Sequence, residues 1–143
     1  MTEADVRRAV ASDAPAMAQI VCDWEGATDW MPTIYSVEEI AGFIRDALPT
    51  REMWVFGAPI EGYLSYVPEI NRVGGLYCKT PGSGVGRRLM DKVKAGRDFV
   101  WLRTHEPNLR AQKFYKREGF VEVSRHDAEP PNTVREIRME WRR

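Results

Sequence analysis

Residues 76–93 read LYCKTPGSGVGRRLMDKV. Leu76-Tyr77-Cys78 is strand-like, Lys79 to Gly84 is a loop, and Val85, Leu89, Met90 and Val93 share one stripe of a helix. Strand, glycine loop and helix in that order build a site for an anion. The first N–H groups of a helix have no partner within it and point out of its end. The aligned peptide dipoles add partial positive charge there. Gly82, Gly84 and Gly86 carry no Cβ, so a ligand can approach the backbone and positive φ is open. The same glycines also suit a plain tight turn. Two phosphate loops are excluded. No Lys-Ser or Lys-Thr follows Gly86, and Arg87 stands where the dinucleotide fingerprint has its third glycine.

Residues 108–120 read NLRAQKFYKREGF and carry a second pattern. Taken with Gly82-x-Gly84-x-Gly86, the positions Asn108, Ala111, Phe114-Tyr115 and Gly119-Phe120 resemble the GNAT family of N-acetyltransferases. That family opens a helix with [QR]-x-x-G-x-[GA] and follows it with a helix N-x-x-A-x-x-F-Y ending in G-F. The resemblance runs from about Tyr66 to Phe120. It departs at Pro81, which stands at the Gln/Arg position and offers no N–H. The loop after Cys78 is also about two residues short of the family's.

Composition sets the outer bounds. A chain of 143 residues is expected to form a single domain, residues 1–143, with a real core. It is 43% hydrophobic and 29% charged, as in globular proteins. Its formal net charge is zero, so no field favours nucleic acid or an anionic membrane. Cys22 and Cys78 are far apart, without a C-x-x-C, which argues against a disulfide framework or a zinc site. No apolar run is long enough to span a membrane. Met1 to Ala11 carry Glu3 and Asp5 and no apolar stretch of the signal-peptide kind. A cytoplasmic protein without a metal is expected.

In chain order, Val6–Val10 reads as a strand, and Ser12 is the expected N-cap of a helix bearing Ala14, Met17, Ala18, Val21 and Cys22. Ser36 and Glu39 form a capping box for a helix bearing Ile40, Ala41, Ile44 and Leu48. Strands are expected at Met53–Gly57, Tyr63–Val67, Val73–Cys78, Phe99–Leu102, Phe120–Ser124 and Val134–Trp141, and a helix at Asn108–Glu118. The order β-α-α-β-β-β-α-β-α-β-β is an α/β (α+β) pattern. It implies a mixed, mostly antiparallel sheet of about seven strands flanked by about four helices. The GNAT resemblance gives the same order and adds a splay between Val73–Cys78 and Phe99–Leu102, where acetyl-CoA lies.

The resemblance also implies roles. The pyrophosphate of coenzyme A sits on the backbone of Gly82, Ser83, Gly84, Val85, Gly86 and Arg87, and its pantetheine arm runs along Leu76, Tyr77 and Cys78. The backbone N–H of Cys78 polarises the acetyl carbonyl, and a neutral amine attacks directly. Tyr115 takes the family's place for the general acid, although the Phe114-Tyr115 pair also fits a packed helix face. Asn108 contacts the cofactor arm, and it equally suits a helix N-cap. Candidate bases are Glu69, Glu106 and His105, each of which also fits a solvated loop. Cys78 as a nucleophile is rejected, since a strand cysteine behaves as a small hydrophobe.

Gly26 to Tyr35 is loop-like yet holds Trp30, Met31 and Tyr35. With Tyr66 and Trp141 these residues suggest an apolar or aromatic acceptor pocket, or a loop folded onto the core. The expected acceptor is a small-molecule amine or a peptide, with no nucleic-acid or membrane partner; relatives of this kind are often homodimers. A coenzyme A-binding module without catalysis, or a domain in which the glycines make only a turn, are the rival readings.

Overall fold

The computed structural model describes residues 6–143; the N-terminal reading at residues 1–5 lies outside them. The strands are β1 (Val6–Arg8), β2 (Glu52–Phe56), β3 (Gly62–Val67), β4 (Arg72–Cys78), β5 (Phe99–His105), β6 (Val121–His126) and β7 (Glu136–Arg142). The helices are α1 (Ala14–Gly26), α2 (Val37–Ala47), α3 (Val85–Lys94) and α4 (Leu109–Arg117). The strands form one sheet in the order β1-β2-β3-β4-β5-β7-β6. Every neighbouring pair is antiparallel except β4–β5, which is parallel and joined through α3.

Strand parity builds two cores. Trp54, Phe56, Leu64, Tyr66, Val73 and Leu102 face a cluster completed by Val85, Leu89, Met90 and Val93 of α3. Met53, Val55 and Tyr63 face the other way, against Met17, Ala18 and Val21 of α1 and Ile40 and Ile44 of α2. The sheet is therefore a middle layer, apolar on both faces at β2 and β3.

Local chemistry sets the helix starts. Ser36 Oγ accepts from Glu39 N–H at 3.1 Å, and Glu39 Oε1 accepts from Ser36 N–H at 3.0 Å, the reciprocal box expected of this pair. Ser12 is not the cap of α1. A 3-10 turn at Ala11–Asp13 precedes that helix, and Asp13 is the entry residue. Its carboxylate accepts from Val10 N–H at 2.8 Å and from both Arg7 guanidinium nitrogens. Asp13 wins because its charge attracts Arg7, which a serine hydroxyl cannot do as strongly.

The splay is real but narrower than expected. β4 and β5 pair at Arg72–Trp101 and Val73–Leu102. The open part is thus Gly74–Cys78 facing Arg103–His105, since β5 runs on to His105. Val73 and Phe99–Leu102 lie in or before the paired end. Trp101 fastens that end: its backbone N–H donates to Asn71 C=O at 3.0 Å and its Nε1 to Ile70 C=O.

Candidate active site

The gap opens where a bulge interrupts β4. Ser65 pairs with Gly75 while Tyr66 pairs with Val73, so Gly74 is an extra residue bulging from β4. The bulge shifts the parity of the rest of the strand, and Val73 and Leu76 both pack toward the α3 core. Just past the strand, Lys79 N–H donates to Glu61 C=O at 2.8 Å. Alternation back along the ladder turns the N–H and C=O of Tyr77 and Gly75 toward β3. Those of Leu76 and Cys78 then point into the gap. An edge with free donors and acceptors is the kind that an extended amide chain completes.

At the open end of β4 the glycine loop leads into α3. Gly82 has φ 77° and Gly84, the N-cap of α3, has φ 85°. Only glycine takes this region readily. Neither position has an atom within 4 Å of where a Cβ would stand, so the loop leaves room above the helix end. Gly86 is small for another reason: a Cβ there would meet Phe114 Cζ at 3.2 Å. The basic side chains behind the loop are partly engaged, since Arg97 pairs with Glu52 at 2.8 Å and Lys94 with Glu118 at 3.6 Å.

The Tyr115 ring is buried edge-on between Phe114 and Phe120. Burial holds its hydroxyl well above the ordinary tyrosine range, and Tyr77 and Cys78 push it further. Those two influences set Tyr115 beside the gap-lining strand. Burial also pushes the Cys78 thiol up to about 11. A thiol that stays protonated is a poor nucleophile. Asn108 caps α4, its Oδ1 accepting from Ala111 N–H at 3.1 Å.

The candidate bases separate. Glu106 faces Arg125 at 3.4 Å and Arg135 at 3.5 Å, so its carboxylate is neutralised on the surface. Glu69 is exposed on the 3-10 turn before β4, at the fastened end of the β4–β5 pair and away from the opening. Topology, not chemistry, sets it apart from the opening. His105 ends β5 at the open side. Its ring stacks on Trp24 at 6.0 Å and meets Trp30 at 5.4 Å, while Trp24 also touches Tyr77 at 5.6 Å. Burial lowers the His105 pKa, with Glu136 opposing, which favours the neutral imidazole.

On the α1–α2 face lies a cleft of about 240 Å³, lined among others by Glu25, Tyr35, Phe43, Tyr63, Gly75 and Tyr77. Trp30 sits in the ring cluster beside it, and Tyr35 is edge-on to Phe43 at 4.9 Å. Met31 is half-buried in the turn that follows Trp30. Tyr66 does not belong to a pocket. It is fully buried under the Arg97 guanidinium, 4.3 Å from its ring centre, and its hydroxyl donates to Asn71 Oδ1. Trp141 packs on the α3 core beside Lys94, on the opposite face of the sheet. Parity decides both, because Tyr66 lies one residue from Ser65, which does line the cleft.

Sequence reasoning missed Glu25. One of its carboxylate oxygens is buried without a hydrogen-bond partner, and burial raises its pKa. The signal was available: Glu25 follows Val21 by one helical turn, on the apolar stripe of α1. A carboxylate on a core-facing stripe is the informative exception. Among the described residues no cluster of His, Cys, Asp and Glu fits a metal, and no helix is long and apolar enough to cross a membrane.

The model of the Acetyltransferase (GNAT) family matches residues 81–120, from the glycine loop through α4 to Phe120. The fold extends the likeness to nearly the whole chain. Apo YjaB from Escherichia coli superposes with TM-score 0.75 at 20% identity, covering 95% of each chain. A ribosomal-protein-alanine N-acetyltransferase from Brucella melitensis gives 0.74 at 17% identity, over 96% of this chain and 99% of that one. The yncA protein of Salmonella typhimurium, solved with its cofactor acetyl-CoA, gives 0.72 at 14%, over 96% and 92%. A search of curated protein sequences gave no match. Residues 81–120 thus match the GNAT family model, and the fold of the chain is similar to that of these solved structures.

Proposed function

We propose that this protein is an N-acyltransferase that moves the acetyl group of acetyl-CoA to an amine by direct attack. The observation that carries this reading is the geometry of β4. Its free Leu76 and Cys78 backbone groups lie in a gap that has the glycine loop at one end. Residues of the same open segment, Gly75 and Tyr77, line a cleft on the other face. The two reactants thus reach one point from opposite sides. The GNAT family match and the relatives' names support an acyltransferase, and the yncA complex supports acetyl-CoA as co-substrate.

The thioester supplies the activated acyl group; the protein supplies position, polarity and proton traffic. The N–H groups at the start of α3, over Gly82 and Gly84, suit a pyrophosphate. Cys78 N–H is the donor nearest the open end of the gap and suits a carbonyl oxygen gaining negative charge. Alignment of the two reactants lowers much of the barrier. The neutral imidazole of His105 takes the amine proton, directly or through water. Tyr115, protonated at neutral pH, gives its proton to the departing thiolate.

Thermal unfolding with and without saturating acetyl-CoA tests the first half. Ligand at one hundred times its Kd adds about 2.7 kcal/mol, a rise in Tm of several degrees. ATP and NAD are the controls, and equal shifts with them would remove coenzyme A specificity. Release of free thiol in the presence of an amine panel tests the second half. Binding without turnover on any amine would favour a coenzyme A-binding module.

A further inference from the structure

The acceptor cleft has an unusual charge arrangement. Glu25 brings a carboxylate with a buried, unpartnered oxygen to the Tyr77 side. Arg51 lines the other side, its Nη1 3.3 Å from Ser65 Oγ and against the bare backbone of Gly74. Beyond Arg51 the same face of the sheet continues onto β4, β5 and β7. Val73, Leu102 and Ile137 face the α3 core, so Arg72, Arg103 and Arg138 face the cleft side. All three guanidinium groups surround the Trp101 ring, at 5.0, 5.8 and 3.9 Å from its centre.

These arginines are not all matched by acids. Arg138 is held by Glu140 at 2.9 Å, and Glu136 reaches Arg103 only at 3.8 Å. Arg51 and Arg72 make no ion pair among the described residues. The Nε atoms of both Arg72 and Arg103 are buried without a hydrogen-bond partner. Burial, Arg103 and Arg51 depress the Arg72 guanidinium, opposed by Glu136 and Glu129, and the net shift is downward. A buried donor without an acceptor costs free energy, and an anion brought there repays it.

We infer that Arg51, Arg72 and Arg103 form a carboxylate subsite at one end of the cleft, opposite Glu25, and that the acceptor is a small zwitterionic amine: an α-amino acid with an apolar side chain. Spacing fits. From Tyr77 to Gly74 along β4 is about 10 Å. Two ionic contacts of about 3 Å, on either side of an amino acid's own amine-to-carboxylate span, fill that length. Tyr35, Phe43 and Tyr63 leave an apolar wall for the side chain. The inference rests on the acyl-transfer reading for its reaction, but the anion subsite stands on its own geometry.

Calorimetric titration of the protein saturated with coenzyme A, which permits no turnover, tests it with phenylalanine and 2-phenylethylamine. The two differ only by the carboxylate. Phenylalanine is expected to bind at least tenfold tighter, and Arg51→Gln and Arg72→Gln to remove that ratio while leaving 2-phenylethylamine unchanged. Arg51 is exposed, so its variant keeps the fold even if the other does not. Equal binding of the two amines, binding of neither, or a ratio that survives both variants would overturn the subsite. Acetylation is read separately. A preserved preference without acetylation of either amine would sink the transferase reading and leave the carboxylate subsite supported.

Discussion

The ring edge of Phe114 lies against Gly86, so that a β-carbon there would stand 3.2 Å from Phe114 Cζ. This contact joins the first turn of α3 to α4, the two halves of the family segment. α4 carries Tyr115, and its neighbour Phe114 sets how closely α3 can approach. The same Gly86 position is 3.8 Å from Cys78 Sγ, so the strand edge is held in the same cluster.

Gly86→Val is therefore expected to push Phe114 aside and tilt the N–H groups at the start of α3. Overpacking costs about 1–3 kcal/mol of stability. Acetyl-CoA affinity should fall tenfold or more by calorimetry. Gly96→Ala is the control. Gly96 has φ 75° with no atom within 4 Å of a Cβ, so the variant strains the backbone away from the site. Its Tm should drop while the Kd for acetyl-CoA holds. Equal losses of affinity in both variants would show a general loosening and no role for the Gly86–Phe114 contact.

Most of the fold was legible because its signals are local. The Ser36–Glu39 box, the α3 stripe and the spacing from Asn108 to Phe120 each lie within one or two turns of chain. The strand, glycine loop and helix order around Gly82 to Arg87 was legible in the same way, because it is carried by one short stretch of backbone. The site was obscured where side chains from distant elements meet. Tyr66 and Tyr63 look equivalent in sequence, yet strand parity along β3 sends them to opposite cores. Glu69 precedes the right strand but at its fastened end, which only the β4–β5 register reveals. Glu25 sits on an apolar stripe read for its hydrophobic members alone.

Tyr115→Phe keeps the ring between Phe114 and Phe120 and removes one hydroxyl. The variant should melt within about 2 °C of the parent, since its packing is unchanged. Its kcat should fall by about 100-fold or more, the range for a positioned proton donor, with acetyl-CoA binding unaltered. The same assay addresses Cys78. Incubation with acetyl-CoA without an amine should leave the intact mass free of an acetyl adduct, because the thiol stays protonated. A stoichiometric adduct on Cys78 would replace direct attack by a two-step route.

Asp13 and Arg7 test the entry to α1. The carboxylate takes Arg7 Nη1 at 2.8 Å and Nη2 at 2.9 Å, and Val10 N–H at 2.8 Å. Asp13→Ala leaves that N–H without its acceptor. Because Arg7 is half exposed, solvent screening tempers the loss to about 2 kcal/mol, or about 5–8 °C in Tm. Arg7 lowers the Asp13 pKa from the ordinary 3.8. Its contribution is therefore complete above that value and lost as pH falls through the lower folded pKa. The parent and the variant should converge in stability as the pH falls through that lowered pKa.

His105 gives the pH test of the mechanism. Burial lowers its pKa from the ordinary 6.5, so the folded protein binds this proton less readily than the unfolded chain. Stability linked to His105 is then whole above about pH 6.5 and declines as the pH falls below it. The imidazole remains neutral in the folded protein to lower pH than a free histidine. The acid limb of kcat/KM should accordingly have its midpoint below 6.5, and alkaline pH should help further by deprotonating the amine. His105→Gln keeps a planar polar group on Trp24 but carries no titrating nitrogen. It should erase the acid limb and lower kcat by about 100-fold, with acetyl-CoA affinity retained. An acid limb that persists in His105→Gln would pass the proton to another group, and Glu25, with its raised pKa, is the next to substitute.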